Sequence, residues 1–308
     1  MDEVQILEGQ GFKVFKYLGK GAFGLVYLVY STQTGLVVAK IIKKSLFNEN
    51  DQNQEILVQI GEQIQFMVKF IAIKQNEEHV IVIQEFANMQ SLSHVIRRKA
   101  NLSKESIRAI AKQLLEGLKL IHAKGIVHNN IKGENILLHN LQEFGNVIVK
   151  IADCALVKTQ DIIQMIKMPK KRNFLTVAPE RLIEEGIGDE KTDMYSAGVV
   201  LFQLVAHDYP VKAIDIQDMI SKIQLGTINR PVQILDDKFW DLLVNLLAFD
   251  RTKRFSAEQA LKHPYFTSIQ ALNEISQESI KIAASAQLAK SNGDTNITIY
   301  DVDPSYRF

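Results

Sequence analysis

The sequence predicts an α+β fold, rich in strands in its first part and helical in its longer second part. Three observations predict it. Phe12 to Lys40 is rich in β-branched and aromatic residues broken by glycine turns. From Ser91 onward the apolar residues recur at three and four. Runs of strands followed by runs of helices mark this architecture. The chain has 308 residues, enough for two substantial cores.

Composition narrows the class. Hydrophobic residues make up 46% and the net charge is +1, as in an ordinary globular protein. That balance gives no case for nucleic acid or membrane as bulk partners. Cys154 is the single cysteine, so no intrachain disulfide forms, which suits a reducing compartment. Met1-Asp2-Glu3-Val4-Gln5 is acidic and lacks the pattern of a signal peptide. The most apolar stretch, Ala197 to Ala206, is interrupted by Gln203 and too short to span a bilayer. A cytoplasmic protein is expected.

In chain order, Leu18-Gly19-Lys20-Gly21-Ala22-Phe23-Gly24-Leu25-Val26-Tyr27 carries Gly-x-Gly-x-x-Gly-x-Val. A dinucleotide fold would need a helix directly after these glycines. Here Leu25 to Tyr30, the turn Thr32-Gln33-Thr34-Gly35 and Leu36 to Lys40 read as a hairpin instead. Such glycines let backbone N–H groups approach phosphates. An ordinary glycine-rich turn is the bland alternative. Farther on, His79 to Ile83 reads as a buried strand. Ser103 caps a helix whose stripe is Ile107, Ile110, Ala111, Leu114, Leu115, Leu118 and Ile121, ending at Gly125. His139 to Asn146 reads as a loop, and Val147 to Ile151 as a strand. Phe239 to Phe249 and Ser256 to Leu261 read as helices. Ile269 to Lys290 reads as one amphipathic helix, and Ser291 to Phe308 as a loose polar tail.

Between two apolar runs lies Ile126-Val127-His128-Asn129-Asn130-Ile131-Lys132-Gly133-Glu134-Asn135-Ile136-Leu137-Leu138. It resembles the catalytic loop of eukaryotic protein kinases, with His128, Lys132 and Asn135 on family positions. Other motifs follow in order. Val38-Ala39-Lys40 resembles the strand-three lysine motif, and Ala152-Asp153-Cys154-Ala155 resembles Asp-Phe-Gly. Ala178-Pro179-Glu180 is intact, with Arg254 as its expected partner. Asp193 matches the aspartate that holds the catalytic loop, and His263-Pro264-Tyr265-Phe266 the domain's end. The resemblance covers about residues 12–267, with an N-lobe of about 12–84, a hinge of about 85–88 and a C-lobe of about 89–267. The lysine two places after Asn130 resembles the serine/threonine branch.

The resemblance implies an ATP site of Leu18, Gly19, Gly21, Gly24, Val26, Ala39, Lys40, Glu55, Glu85, Ala87 and Leu137. Lys40 would contact phosphates and pair with Glu55, Gln84 would sit at the gatekeeper position, and backbone groups of Glu85 and Ala87 would meet adenine. Asn135 and Asp153 would bind Mg²⁺. Lys132 would act beside Asn130.

Two departures matter most. Asn129 stands where the family has Arg, and Asn130 where it has the Asp that accepts the substrate hydroxyl's proton. An asparagine is no proton acceptor at neutral pH. In the family an apolar stack links the lobes; the register puts Gln59, Phe70, His128 and Cys154 there, a poor set for close packing. The resemblance therefore implies an ATP- and Mg²⁺-binding protein with impaired phosphate transfer, a pseudokinase acting through an unknown protein partner. An active serine/threonine kinase and a scaffold without nucleotide are the alternatives.

Overall fold

The computed structural model describes residues 2–21, 24–47, 58, 59, 61–141, 146–154, 172–183 and 188–308. Five strands form one antiparallel sheet: β1 (Lys13–Lys20), β2 (Gly24–Ser31), β3 (Gly35–Lys43), β4 (Phe70–Gln75) and β5 (His79–Glu85), in the order β1-β2-β3-β5-β4. The expected hairpin is there, with Val26 opposite Lys40 and Leu25 opposite Ile41. Gly35, at φ 69°, makes its turn in a conformation that favours glycine.

Side chains alternate across this sheet. Odd positions of β3, Val37, Ala39 and Ile41, face a cluster with Val29, Ile81 and Ile83. A short helix that sequence reading missed, α1 (Glu3–Gly9), covers that face with Ile6 and Leu7. Even positions face the rest of the protein, where Ile42 joins Val80, Val82 and Phe70 in the main core.

Below the sheet come α2 (Leu92–Arg97) and α3 (Lys104–Ala123). Ser103 caps α3 by accepting from Ser106 N, and Gly125 follows its end at φ 72°. Its stripe is core: Leu114, Leu115, Leu118 and Ile121 are fully buried, each contributing about 1.5–3 kcal/mol of transfer free energy. Strands β6 (Ile136–Leu141) and β7 (Asn146–Ile151) pair with Ile136 opposite Ile151. His139 to Leu141 thus belong to a strand where a loop was expected. The helices α4 (Pro179–Ile183), α5 (Glu190–Ala206), α6 (Ile216–Gln224), α7 (Asp237–Leu246), α8 (Ala257–Leu261) and α9 (Pro264–Thr267) follow. α5 is buried on nearly every face and centres this lobe.

The C-terminal region departs from expectation twice. Ile269 to Lys290 is two helices, α10 (Ile269–Asn273) and α11 (Gln277–Ser291). Ser276 restarts the chain by capping Ser279 N while its own N–H donates to Glu105. Residues 292–308 are docked rather than loose: Arg307 is 3% exposed, and Tyr300 and Tyr306 pack against Phe66. Local polarity suggested a loose end, but contacts with distant residues decide the outcome.

Candidate functional site

A cavity of ≈ 450 Å³ lies between the sheet and the helical lobe, within the size range of small-molecule sites. Of the residues expected to meet nucleotide or metal, Leu18, Gly19, Gly21, Val26, Lys40, Glu85, Ala87, Leu137, Asn135 and Asp153 line it. Gly24 does not. A Cβ there would fall 1.9 Å from the carbonyl oxygen of Ile41, so the glycine answers to β2–β3 crowding. Glu55 lies outside the described residues.

Ala39 requires a correction. Its side chain sits in the cluster on the far face of the sheet, and Val38 lines the cavity instead. Strand alternation is the reason: only positions an even number from Lys40 share its face. Counting by two from Lys40 would have found Val38.

Lys40 is 2% exposed, and its Nζ lies 2.7 Å from Asp153 Oδ2. Burial pushes the Asp153 carboxyl upward, but Lys40 foremost, with His128 and Lys132 adding to it, outweighs burial and holds the group below the usual carboxylate range. Asp153 stands at φ 64°, a conformation Asp and Asn tolerate better than most residues. Gln84 closes the back of the cavity at 4% exposed, and its Nε2 has no hydrogen-bond partner among the described residues. The Glu85 carboxylate is engaged by Lys150 Nζ at 2.7 Å and Lys69 N at 2.8 Å, so it offers the cavity its backbone.

The loop after α3 is held from below by Asp193, which is 1% exposed. Asp193 accepts from His128 N at 2.7 Å and Asn129 N at 2.8 Å, and its Oδ2 meets His122 Nε2 at 2.9 Å. Asn129 takes φ 63° there. His128 is fully buried; Asn130 N donates to its Nδ1 and its Nε2 lies 2.9 Å from Ala152 O. A carbonyl only accepts, so Nε2 carries the proton. Burial pulls the His128 pKa down, against Asp193, so the ring is neutral. Asn135 Nδ2 donates to Asn130 O at 2.8 Å, and Ala152 N donates to Asn135 O at 2.8 Å. These bonds tie the Asn130 backbone to the Asp153 segment. Asn130 and Lys132 are half-buried just outside the cavity lining.

Residues 12–266 match the family model for the protein kinase domain. The chain belongs to the protein kinase family. Serine/threonine kinases are among its relatives, and it is 29% identical over 269 residues to Calcium-dependent protein kinase 4 of Plasmodium berghei, covering 84% of this chain and 50% of that protein. It is 27% identical over 286 residues to Calcium/calmodulin-dependent protein kinase type 1 of Macrobrachium nipponense, covering 89% of this chain and 79% of that protein. A probable serine/threonine-protein kinase of Zea mays is 25% identical over 256 residues, covering 81% of this chain and 40% of that protein. The chain spans about half the length of the first of these relatives. Among the described residues no helix is long and apolar enough to cross a membrane.

Protein kinases use ATP and Mg²⁺, and the residues present suit both. Lys40 offers a fixed cation for phosphate. Asp153 and Asn135 are oxygen donors of the kind Mg²⁺ takes, and the orphaned Gln84 Nε2 is a buried donor facing a base-sized space.

At the Ala178-Pro179-Glu180 motif, Glu180 and Arg254 form the expected pair in bidentate form, at 2.7 and 2.9 Å, with Arg254 1% exposed. One residue sequence reading missed is Arg181. It is 4% exposed, and its Nη1 donates to Asn129 Oδ1 at 3.0 Å. Its Nε and Nη2 have no hydrogen-bond partner among the described residues. Nothing in the local sequence signals this contact. In the expected stack, Phe70, His128 and Cys154 are all buried to 1% or less, whereas Gln59 is exposed and stands outside it.

Proposed function

We propose that this kinase-fold protein binds ATP with Mg²⁺ in the interlobe cavity, transfers phosphate poorly or not at all, and acts through a protein partner in a reducing, cytoplasmic setting. One observation carries the reading: the loop around Asn130 keeps its scaffold while its acid–base side chain is lost. Asp193, His128 and Asn135 fix the backbone at 129 and 130 as a working loop requires. The side chain so positioned is an amide, which accepts no proton at neutral pH.

Within that reading the chain's own groups have distinct tasks. The glycines at 19 and 21 leave no side chain between the backbone of this turn and phosphate oxygens. Lys40 neutralises charge there, and Asp153 and Asn135 hold the metal. Val38, Val26 and Leu137 exclude water around the base. The metal would draw negative charge off the phosphates. Losing a general base of this kind costs about 10²- to 10⁴-fold in rate.

Active serine/threonine kinase is the second reading, favoured by the charge of Lys132 reaching Asp153 and by a reaction that rests mainly on positioning and charge. ATP binding and transfer of labelled γ-phosphate, measured on one pure sample, separate the two. Binding without transfer supports the proposal. Brisk transfer abolished by Asp153→Ala overturns it, and absence of binding at millimolar ATP leaves a scaffold.

A further inference from the structure

The C-terminal segment is seated on a specific surface. Tyr300 and Tyr306 have ring centroids 4.7 and 5.8 Å from that of Phe66 and 5.1 Å from each other. Thr298 Oγ1 donates to Gln65 Oε1 at 2.8 Å. On α3, Lys112 pairs with Asp303 at 3.2 Å, bonds Ser305 Oγ and lies 4.0 Å over the Tyr306 ring. The segment thus bridges the two lobes: Gln65 and Phe66 lead into β4, and α3 belongs to the helical lobe.

Two routes run from this contact toward Asp153. Phe66 is 1% exposed; its carbonyl accepts from Ile151 N at 2.8 Å, and Val68 N donates to Ile151 O at 2.9 Å. Gln113 is fully buried, and its amide spans both partners, donating from Nε2 to Tyr306 O and accepting from Val149 N at 2.6 Å. Val149 and Ile151 belong to β7, which ends two residues before Asp153. The packing has no slack there. A Cβ on Gly117 of α3 would fall 2.7 Å from Ile151 Cδ1 and 3.0 Å from Phe66 Cβ.

We infer that residues 298–308 are an intramolecular strap whose docking on Phe66 and α3 holds β7 in place and thereby sets the nucleotide affinity of the Asp153 site. The occupant of this surface is the chain's own segment. A shift of Phe66 or Gln113 reaches Ile151 or Val149 through one hydrogen bond, so undocking weakens the anchoring of the strand that presents Asp153. The affinity part rests on the nucleotide reading above; the effect on β7 does not.

The test uses the full chain carrying Tyr300→Ala and Tyr306→Ala, with Ile299→Ala, at a residue 66% exposed, as control. Amide hydrogen exchange is read first without nucleotide. In the double variant the Val149 and Ile151 amides should exchange about 5- to 150-fold faster, the usual range of coupling between sites, while α7 amides stay protected. A synthetic peptide of residues 296–308 added in excess should restore protection. Mg²⁺-ATP affinity should fall by a factor in the same range. Unchanged exchange at Val149 and Ile151 alongside fast exchange across 298–308 would overturn the strap. Faster exchange with no nucleotide binding by any form would support the strap and sink the nucleotide reading. Should the double variant lose protection everywhere, Lys112→Ala, which removes one cation from the contact, takes its place with the same two outcomes.

Discussion

Lys40 Nζ and Asp153 Oδ2 stand 2.7 Å apart, with the lysine 2% and the aspartate 20% exposed. A cation from β3 and an anion two residues past β7 thus meet across the cavity with no water shell between them. Each makes the other's charge tolerable. Either one removed alone leaves a poorly solvated charge behind.

Lys40→Met should therefore cost about 1–3 kcal/mol of stability, the usual penalty for orphaning a buried polar group, reduced toward the lower end because Asp153 keeps some exposure. It should also erase most of the melting shift that Mg²⁺-ATP gives the parent, about 2.7 kcal/mol at a hundredfold excess over Kd. Melts of both proteins with and without nucleotide read both effects. An undiminished shift would remove Lys40 from the site.

Asn130→Asp should raise phosphate transfer, but by less than the hundredfold or more expected of a restored proton acceptor. Cys154 would still occupy the stack beside Phe70 and His128, and a misplacement of about 1 Å can cost on the order of a hundredfold. Adding Cys154→Phe and Ala155→Gly should exceed the product of the separate gains, since such residues act as one unit. Simple multiplication of the gains in a γ-phosphate transfer assay would show them to be independent.

Val38→Phe should block nucleotide while leaving the melting temperature of the free protein nearly unchanged, because Val38 faces the cavity. Ala39→Phe should do the reverse. It overpacks the cluster under α1, at about 1–3 kcal/mol. Paired melts with and without Mg²⁺-ATP decide which residue faces the base.

His128 should remain the Nε2–H tautomer and neutral through pH 6.5, its ordinary midpoint. A second proton would break the bond from Asn130 N to Nδ1. The folded value lies below the unfolded one, so the unfolded chain binds the extra proton first. This contribution to stability is complete above the unfolded value and is lost as pH falls through the folded one. Nitrogen-detected NMR of the ring reads tautomer and midpoint directly, and a midpoint above 6.5 would refute the assignment.

Asn129→Ala should destabilise by about 1–3 kcal/mol, because it strips the partner from Arg181 Nη1 and leaves the guanidinium with no acceptor among the described residues. Arg181→Met should cost less, since it removes the buried charge along with its need for a partner. Urea melts of the two single variants and the double give the coupling. Equal costs would mean that the contact is incidental.

Much of this molecule was legible in the sequence because its signals are local. Glycines around a hairpin and the α3 stripe are such signals, whereas the roles expected of Lys40, Asn135 and Asp153 came only with the family resemblance. The bonds from Asp193 to His128 and Asn129, and from Arg254 to Glu180, were legible only through the family resemblance. What stayed hidden depends on contacts without periodicity. Residues 298–308 are short and polar, and their partners Gln65 and Lys112 lie some 190 to 230 positions away. The Arg181–Asn129 contact joins two segments 52 positions apart, which no local pattern announces. The Ala39 error was of another kind: the period of two was available in the sequence and was not applied from Lys40.

The chain's one thiol occupies an informative place. Cys154 adjoins Asp153, is 1% exposed, and burial pushes its pKa well up, so it is neither reachable nor ionised in the closed protein. An alkylating reagent can then reach this thiol only as often as the core around Cys154 opens, with no other cysteine to consume it. Reaction half-lives with and without a bound molecule would clock that opening in unlabelled protein, on any variant, without a catalytic assay.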